Sequence, residues 1–380
     1  MKKDKTLNIC QIADVCGACS MQGISYEQQL AIKQEKVEKL FSKYYQVNKI
    51  IQNDKTYHYR NKAQISFDYV DGKVIAGNYI ESSHVVVGMK NCQLINEEVN
   101  EIFNEIVSLV KKYKVPIFDE RKMKGFLRHV LIRNNCDNSE IMIVFVTGNQ
   151  RYDLSKVINE LLRKYSNIKT VIQNINSSYT SMILGDKNRI LYGRGYIVDE
   201  LCGYTFKISV SSFYQINHDQ TVKLYDYALK KADIKSDDIV LDTYCGIGTI
   251  GIIASKKAKK VIGVEINKQA IKDAINNARH NDVDNISFIC KDASKFMLDY
   301  DKEVDVVIMD PPRNGSDYKF ISSLIRLAPD RIVYISCNPD TQLRDIKLLL
   351  KRGYQIKDIQ PFDLFSFTDH IENIILLKRV

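Results

Sequence analysis

Ile239-Val240-Leu241-Asp242-Thr243-Tyr244-Cys245-Gly246-Ile247-Gly248-Thr249-Ile250-Gly251 reads as a short apolar strand that ends in an acid and runs through a glycine-rich turn into a helix. Glycine lets the backbone approach a ligand closely at such a turn. Gly246, Gly248 and Gly251 match G-x-G-x-x-G, a weak signal by itself. Glu265 closes the next apolar run, where an acid can accept from ribose hydroxyls. NAD and S-adenosylmethionine both satisfy this much. The chain has no G-x-x-x-x-G-K-[ST] element, which argues against a P-loop.

From about Tyr204 onward strands and helices alternate regularly. Candidate strands are Ile239–Asp242, Val261–Glu265, Ile286–Cys290, Val304–Asp310, Ile332–Ser336, Gln355–Pro361 and Ile371–Lys378. Helical patterns fill the gaps among the first five, as in a parallel doubly wound sheet. A loop joins the last two, so they should pair antiparallel. Seven strands ending that way fit a methyltransferase sheet better than a dinucleotide one. The expected fold is therefore α/β, with a Rossmann-like seven-stranded sheet in residues 206–380.

Residues 1–205 should form a β-rich α/β domain. Ser25-Tyr26-Glu27-Gln28 resembles a capping box before a helix over 25–41, which is free to pack on the second domain. Strands are expected at Ala63–Val70, Val74–Tyr79, His84–Val87, Phe126–Ile132, Ile141–Val146 and Thr170–Asn174, and a helix over Glu97–Tyr113.

Two of the later strands end in polar, proline-braced turns: Asp310-Pro311-Pro312-Arg313 and Ser336-Cys337-Asn338-Pro339. Ligands gather at the carboxyl ends of strands in open α/β sheets. A thiol beside a carboxylate there suits covalent chemistry on an electrophilic ring. Asp310 with its two prolines makes a rigid wall, with few free backbone donors, suited to holding a planar base near a methyl donor.

The 380 residues are 45% hydrophobic and 27% charged, enough for two cores. The amino terminus has no apolar h-region, and no run approaches a membrane span, so the expectation is a cytoplasmic protein with no membrane partner. Nine cysteines, an odd number, argue against a disulfide framework. Residues 1–200 hold 29 Lys+Arg against 22 Asp+Glu, whereas residues 201–380 hold 26 against 24. That asymmetry suggests an amino-terminal half that contacts polyanion. Cys10, Cys16 and Cys19, with Cys92 far along the chain, form a C-x5-C-x2-C…C set whose spacing permits zinc or a [4Fe–4S] cluster.

Taken together, these residues resemble the RNA uracil-5-methyltransferase family over nearly the whole chain. The motifs are Ser212-Phe213-Tyr214-Gln215-Ile216-Asn217, the glycine turn at 242–251, Asp310-Pro311-Pro312-Arg313-Asn314-Gly315, Ser336-Cys337-Asn338-Pro339 and His370-Ile371-Glu372. The resemblance implies that Cys337 is the nucleophile and Glu372 the general base. It implies that Gln215, Tyr244, Gly246, Gly248, Thr249, Glu265, Asp292 and Asp310 hold S-adenosylmethionine. It further implies that Cys10, Cys16, Cys19 and Cys92 ligate a [4Fe–4S] cluster, as in the branch similar to bacterial 23S rRNA enzymes. The chain departs from the family in carrying Leu364 and Ser366 where Met and Pro are usual. Its first cysteine lies only nine residues from the start, so the small amino-terminal RNA-binding barrel of many members is expected to be absent.

The chemistry follows from the residues. C5 of uracil is a poor nucleophile until a thiolate adds at C6, and a base must later remove the C5 proton. The target base must leave its stack, with aromatic and basic groups holding its flanks. Arg60 and Lys62, in Tyr59-Arg60-Asn61-Lys62, and Arg128, His129 and Arg133, in the run from Arg121 to Arg133, are the candidates for RNA contact. The expected partner is RNA, most simply 23S rRNA, handled by a monomer without an obligate protein partner. Four rivals stand beside this reading: a tRNA uracil-5-methyltransferase, an exocyclic-nitrogen methyltransferase that needs no thiol, a non-catalytic ribosome-assembly factor and an NAD-dependent oxidoreductase.

Overall fold

The computed structural model describes residues 9–380. The chain divides into two units, one comprising residues up to Ile24, Lys55–Asp199 and Ile208–Ser211, the other Ser25–Asp54, Glu200–Lys207 and Ser212–Val380. Residues 25–54 thus belong with the carboxyl-terminal unit.

The amino-terminal unit is a seven-stranded sheet of order β3-β2-β1-β4-β5-β6-β7. Its strands are β1 (Lys62–Val70), β2 (Lys73–Tyr79), β3 (Val86–Gly88), β4 (Leu127–Asn134), β5 (Ile141–Thr147), β6 (Ile168–Ile175) and β7 (Lys187–Gly193). All neighbours are antiparallel except β5 and β6, whose parallel pairing requires a crossover. The crossover is α3 (Ser155–Lys164), which packs with α2 (Glu97–Lys112) over one sheet face. Ile102, Ile106, Phe126, Phe145 and Leu161 form the centre of that core. Each such side chain contributes about 1.5–3 kcal/mol through removal from water.

In the second unit, α1 (Tyr26–Phe41) starts where the capping pattern places it, with Ser25 Oγ accepting from Gln28 N at 3.3 Å. Val37 and Phe41 are buried in the core that also contains Leu241 and Tyr334. A two-stranded ribbon, β8 (Ile197–Leu201) and β9 (Tyr204–Ile208), precedes α4 (His218–Ala232). The large sheet then comprises β10 (Ile239–Thr243), β11 (Lys260–Glu265), β12 (Ile286–Cys290), β13 (Val306–Met309), β14 (Arg331–Ser336), β15 (Tyr354–Phe362) and β16 (Glu372–Arg379). Helices α5 (Thr249–Ser255), α6 (Lys268–His280), α7 (Ala293–Asp299), α8 (Tyr318–Leu327) and α9 (Pro339–Leu350) connect them.

The order is β12-β11-β10-β13-β14-β16-β15, parallel up to β14, with β16 inserted antiparallel between β14 and β15. This is the expected methyltransferase sheet, closing pair included. The chain runs outward from β10 to β12, then returns to the other side of β10 as β13. That reversal opens a crevice at the carboxyl ends of β10 and β13. Among the described residues no helix is long and apolar enough to cross a membrane.

Candidate active site

The crevice is shaped by the turn after β10. Tyr244 has φ +65° without being glycine, and Gly246 follows at φ +55°. A Cβ on Gly246 would meet nothing within 4 Å, and the turn faces a cleft. Gln215, Tyr244, Gly246, Thr249 and Asp310 line it, as do Asp242 and Tyr225. The other three residues assigned to the cofactor from sequence stand outside this lining. Glu265 accepts from the backbone of Gly246 at 3.2 Å and of Asn267 at 2.8 Å. Gly248 is the N-cap of α5, with the Phe288 ring 2.9 Å from where a Cβ would lie. Asp292 caps α7 by accepting from Lys295 N at 3.0 Å.

Strand register brings the remaining chemistry to the same edge. Ser336 pairs with Asn373 across the antiparallel β14–β16 ladder, so one step further Cys337 stands opposite Glu372. On the other side of β14, Met309 pairs with Tyr334, and Asp310 leaves the sheet there. A thiol and two carboxyls therefore share the end of three adjacent strands. The two proline turns are joined as well: Asn338 Nδ2 and Thr341 Oγ1 both donate to Arg313 O at 3.1 Å. Ser336 Oγ accepts from Asn338 N at 3.1 Å, fixing the turn that carries Cys337.

The electrostatics are those of an acid-rich enclosure. Burial, and then the Glu372 and Asp310 carboxylates, push the Cys337 thiol up to about 11, while exposed Arg313 acts in the opposite sense. Glu372 is only 4% exposed, and burial followed by the charge of Asp310 raises its carboxyl well above the usual range. Asp310 keeps part of its surface open, yet desolvation raises it too. Two such neighbours cannot both ionise cheaply, so the pair retains a proton near neutrality. Asp242 is pushed up to about 8, first by burial and then by Asp310 and Glu265. The geometry offers a nucleophile, a proton acceptor and a ligand cavity on one edge.

The tRNA (uracil-5-)-methyltransferase family profile matches residues 25–380. The chain belongs to that family. A Staphylococcus aureus (strain MSSA476) protein, known as an uncharacterized RNA methyltransferase, is 40% identical over 379 residues, 97% of this chain and 83% of the relative. One from Halalkalibacterium halodurans, known by the same description, is 38% identical over 378 residues, 97% and 82% of the two chains. Among solved structures, the Pyrococcus abyssi tRNA (uracil-54, C5)-methyltransferase in complex with S-adenosyl-L-homocysteine is similar with a TM-score of 0.80 and 26% identity. The match covers 96% of this chain and 86% of that one. Membership makes this chain an RNA methyltransferase.

The enzyme's basic strand differs from its sequence reading. Arg128, His129 and Arg133 are candidates for RNA contact from sequence, but β4 is paired on both edges and buried along its length. Arg128 donates to Asn176 O at 2.7 Å, to Ser178 O at 3.1 Å and to Glu120 at 3.2 Å, and lies over the Phe118 ring. His129 pairs with Ser66 Oγ at 3.0 Å, and burial, then Arg128, pushes it down to about 3. These are interior groups. Lys62 is half-buried and pushed down to about 8 by burial and then by Arg133.

Cys10, Cys16, Cys19 and Cys92 are free thiols lining one small cavity of about 20 Å³. Asn100 fixes Cys92 by accepting from its N–H and donating to its carbonyl, both at 3.0 Å. Asn78 Nδ2 donates to Cys16 Sγ at 3.4 Å. The side chain of Arg60 lies close enough for its charge to act on Cys19 and Cys92.

Two further contributors escaped sequence reading. Tyr225, inside α4, reaches the cavity and is surrounded by the charges of Asp310, Asp242 and Glu372. Lys33, in α1, pairs with Asp363 at 2.6 Å and donates to Phe365 O at 3.1 Å, with Tyr26 and Ser366 hydroxyls also donating to Asp363. This buried network holds the loop that leads to Glu372. Nothing local in either sequence segment signals these positions.

Proposed function

We propose that the protein methylates C5 of uracil in RNA by covalent catalysis, with Cys337 as nucleophile and Glu372 as base. The observation that carries this is the register that ends with Ser336 opposite Asn373 and so brings Cys337 within reach of the Glu372 charge, beside the cleft lined by Gln215, Tyr244, Thr249 and Asp310. Those residues would hold S-adenosylmethionine, with Gly246 leaving space for it and Gly248, Glu265 and Asp292 shaping its rim. Bound there, the cofactor supplies an electrophilic methyl group. The similarity to a structure solved with S-adenosyl-L-homocysteine supports that choice.

Cys337 adds to C6 of the ring, and C5 gains the electron pair displaced from the C5–C6 double bond. After C5 is methylated, Glu372 takes the C5 proton, the double bond re-forms and the thiolate leaves. Glu372 must be ionised for that step, and transfer of its proton to Asp310 gives a route within the pair. Cys337 must likewise give up its proton, to solvent, to become the thiolate that adds at C6.

The substrate we assign is 23S rRNA, and we assign Cys10, Cys16, Cys19 and Cys92 to a [4Fe–4S] cluster. Four thiols converging on one cavity support the second assignment. Anaerobic purification with iron and sulfide analysis tests the cluster, and stoichiometric zinc would end the proposal. RNA carrying 5-fluorouridine tests the chemistry, because fluorine at C5 cannot be abstracted and the adduct should stall on Cys337. An absence of adduct in the presence of S-adenosylmethionine overturns the mechanism. Loss of 5-methyluridine from tRNA rather than 23S rRNA, in cells lacking the protein, would reassign the substrate.

A further inference from the structure

The edge of the amino-terminal sheet carries a surface that the chemistry above leaves unused. An open groove of about 870 Å³ runs between the loop before α3 and strands β6 and β7. Arg151 stands on one wall and Arg189 on the other. Among the described residues, neither guanidinium has an ion pair or hydrogen bond to protein, in contrast with Arg194, which pairs with Glu140. The nearest acid in the loop, Asp153, is occupied in capping Ser155 through both its N–H and its hydroxyl, at 2.9 and 2.6 Å.

The second observation is apolar. Tyr179 (87% exposed), Met182 (69%), Ile190 (54%) and Tyr192 (43%) crowd into fourteen residues at and before β7. Of these, Ile190 lines the groove next to Arg189. β7 is also an outer strand, exposed along almost its whole length. Bare edge strands risk self-association unless charged residues or a partner cover them. Lys187 and Arg189 discourage pairing with another copy of the same edge.

We propose that this groove is a second RNA-docking surface, in which Arg151 and Arg189 hold phosphates of a single-stranded segment whose bases lie over Ile190. Unpaired guanidinium groups on two walls suit a polyanion, and the exposed apolar Ile190 beside Arg189 suits unstacked bases rather than a duplex. The inference rests on the reading of the protein as an RNA methyltransferase but assigns a site away from the reacting atoms.

The test is the salt dependence of binding to a 23S rRNA transcript, measured by filter retention for the full chain and for the Arg151→Ala/Arg189→Ala double variant. The variant should bind at least tenfold more weakly near 0.1 M salt. The slope of log affinity against log salt should fall by about 1.4, two single-strand phosphate contacts at roughly 0.7 each. Affinity for S-adenosylmethionine and thermal melting should not change. Ultraviolet cross-linking should capture a peptide from the groove wall that carries Arg151 or Arg189. If the unmodified chain binds and methylates RNA while the double variant matches it in affinity and slope, the groove is overturned and the enzymatic reading stands. If the unmodified chain neither binds nor methylates RNA, both fall. A concentration-dependent dimer abolished by Ile190→Lys would assign the edge to self-association instead.

Discussion

β14 and β4 are both central strands, paired on each edge and buried nearly end to end, yet they use polar residues in opposite ways. β14 is apolar inside and carries the proposed nucleophile, Cys337, one residue past its last ladder pair. β4 carries Arg128, His129 and Arg133 within the ladder itself, and the fold absorbs them. A strand end faces a crevice and keeps a side chain accessible. A strand interior flanked by two neighbours can keep a charge only by supplying it with internal partners. Position along the strand, more than residue type, separates the proposed nucleophile from the buried cations.

Breaking the strand-end half of this contrast should have the largest effect. Cys337→Ala should reduce methyl transfer to background. Glu372→Gln should lower the rate by about 10²–10⁴, the usual contribution of a positioned base, and should accumulate a methylated protein–RNA adduct visible on denaturing gels. A Glu372→Gln protein with full turnover would remove Glu372 from the mechanism.

Lys33→Met should follow. It leaves Asp363 buried without its cation, which costs about 3–5 kcal/mol in urea unfolding, and it loosens the loop before Glu372. A change below about 1 kcal/mol would show that the pair is not the anchor it resembles.

Arg128→Ala probes the other half of the contrast. Loss of its carbonyl and Glu120 contacts should destabilise the protein by about 2 to 3 kcal/mol. A variant of unchanged stability but weaker RNA binding would put Arg128 back at the RNA surface and break the comparison.

Asp242→Asn should give the most graded response, small near pH 4 and building with pH. The folded carboxyl titrates at about 8 against 3.8 for its ordinary value. Below pH 4 both states hold the proton, and above pH 8 neither does. Between them the unfolded chain ionises first, so stability falls as pH rises, by up to about 1.4 kcal/mol per unit. The advantage of the Asn variant over the parent should therefore grow from pH 4 to 8 and then level. A gain independent of pH would contradict the assigned burial cost.

How legible all this was in the sequence depends on the range of the interaction concerned. The seven strands of the large sheet, the glycine turn and the two proline turns are local patterns, and each observed strand overlaps its expected range. β7 and α3 went unread: β7 has no buried face to impress an alternating pattern, and α3 is short.

What the sequence determined alone is the strand–helix rhythm and the identity of residues at strand ends, because backbone propensity and turn chemistry act over a few residues. Tertiary structure decided what those residues meet. Antiparallel register brought Cys337 to Glu372, and burial made their proton affinities high. Chain reversal brought Cys92 to Cys10, and packing brought Lys33 to Asp363 across 330 positions. Desolvation and long-range pairing depend on the whole folded chain, so no stretch of sequence contains them.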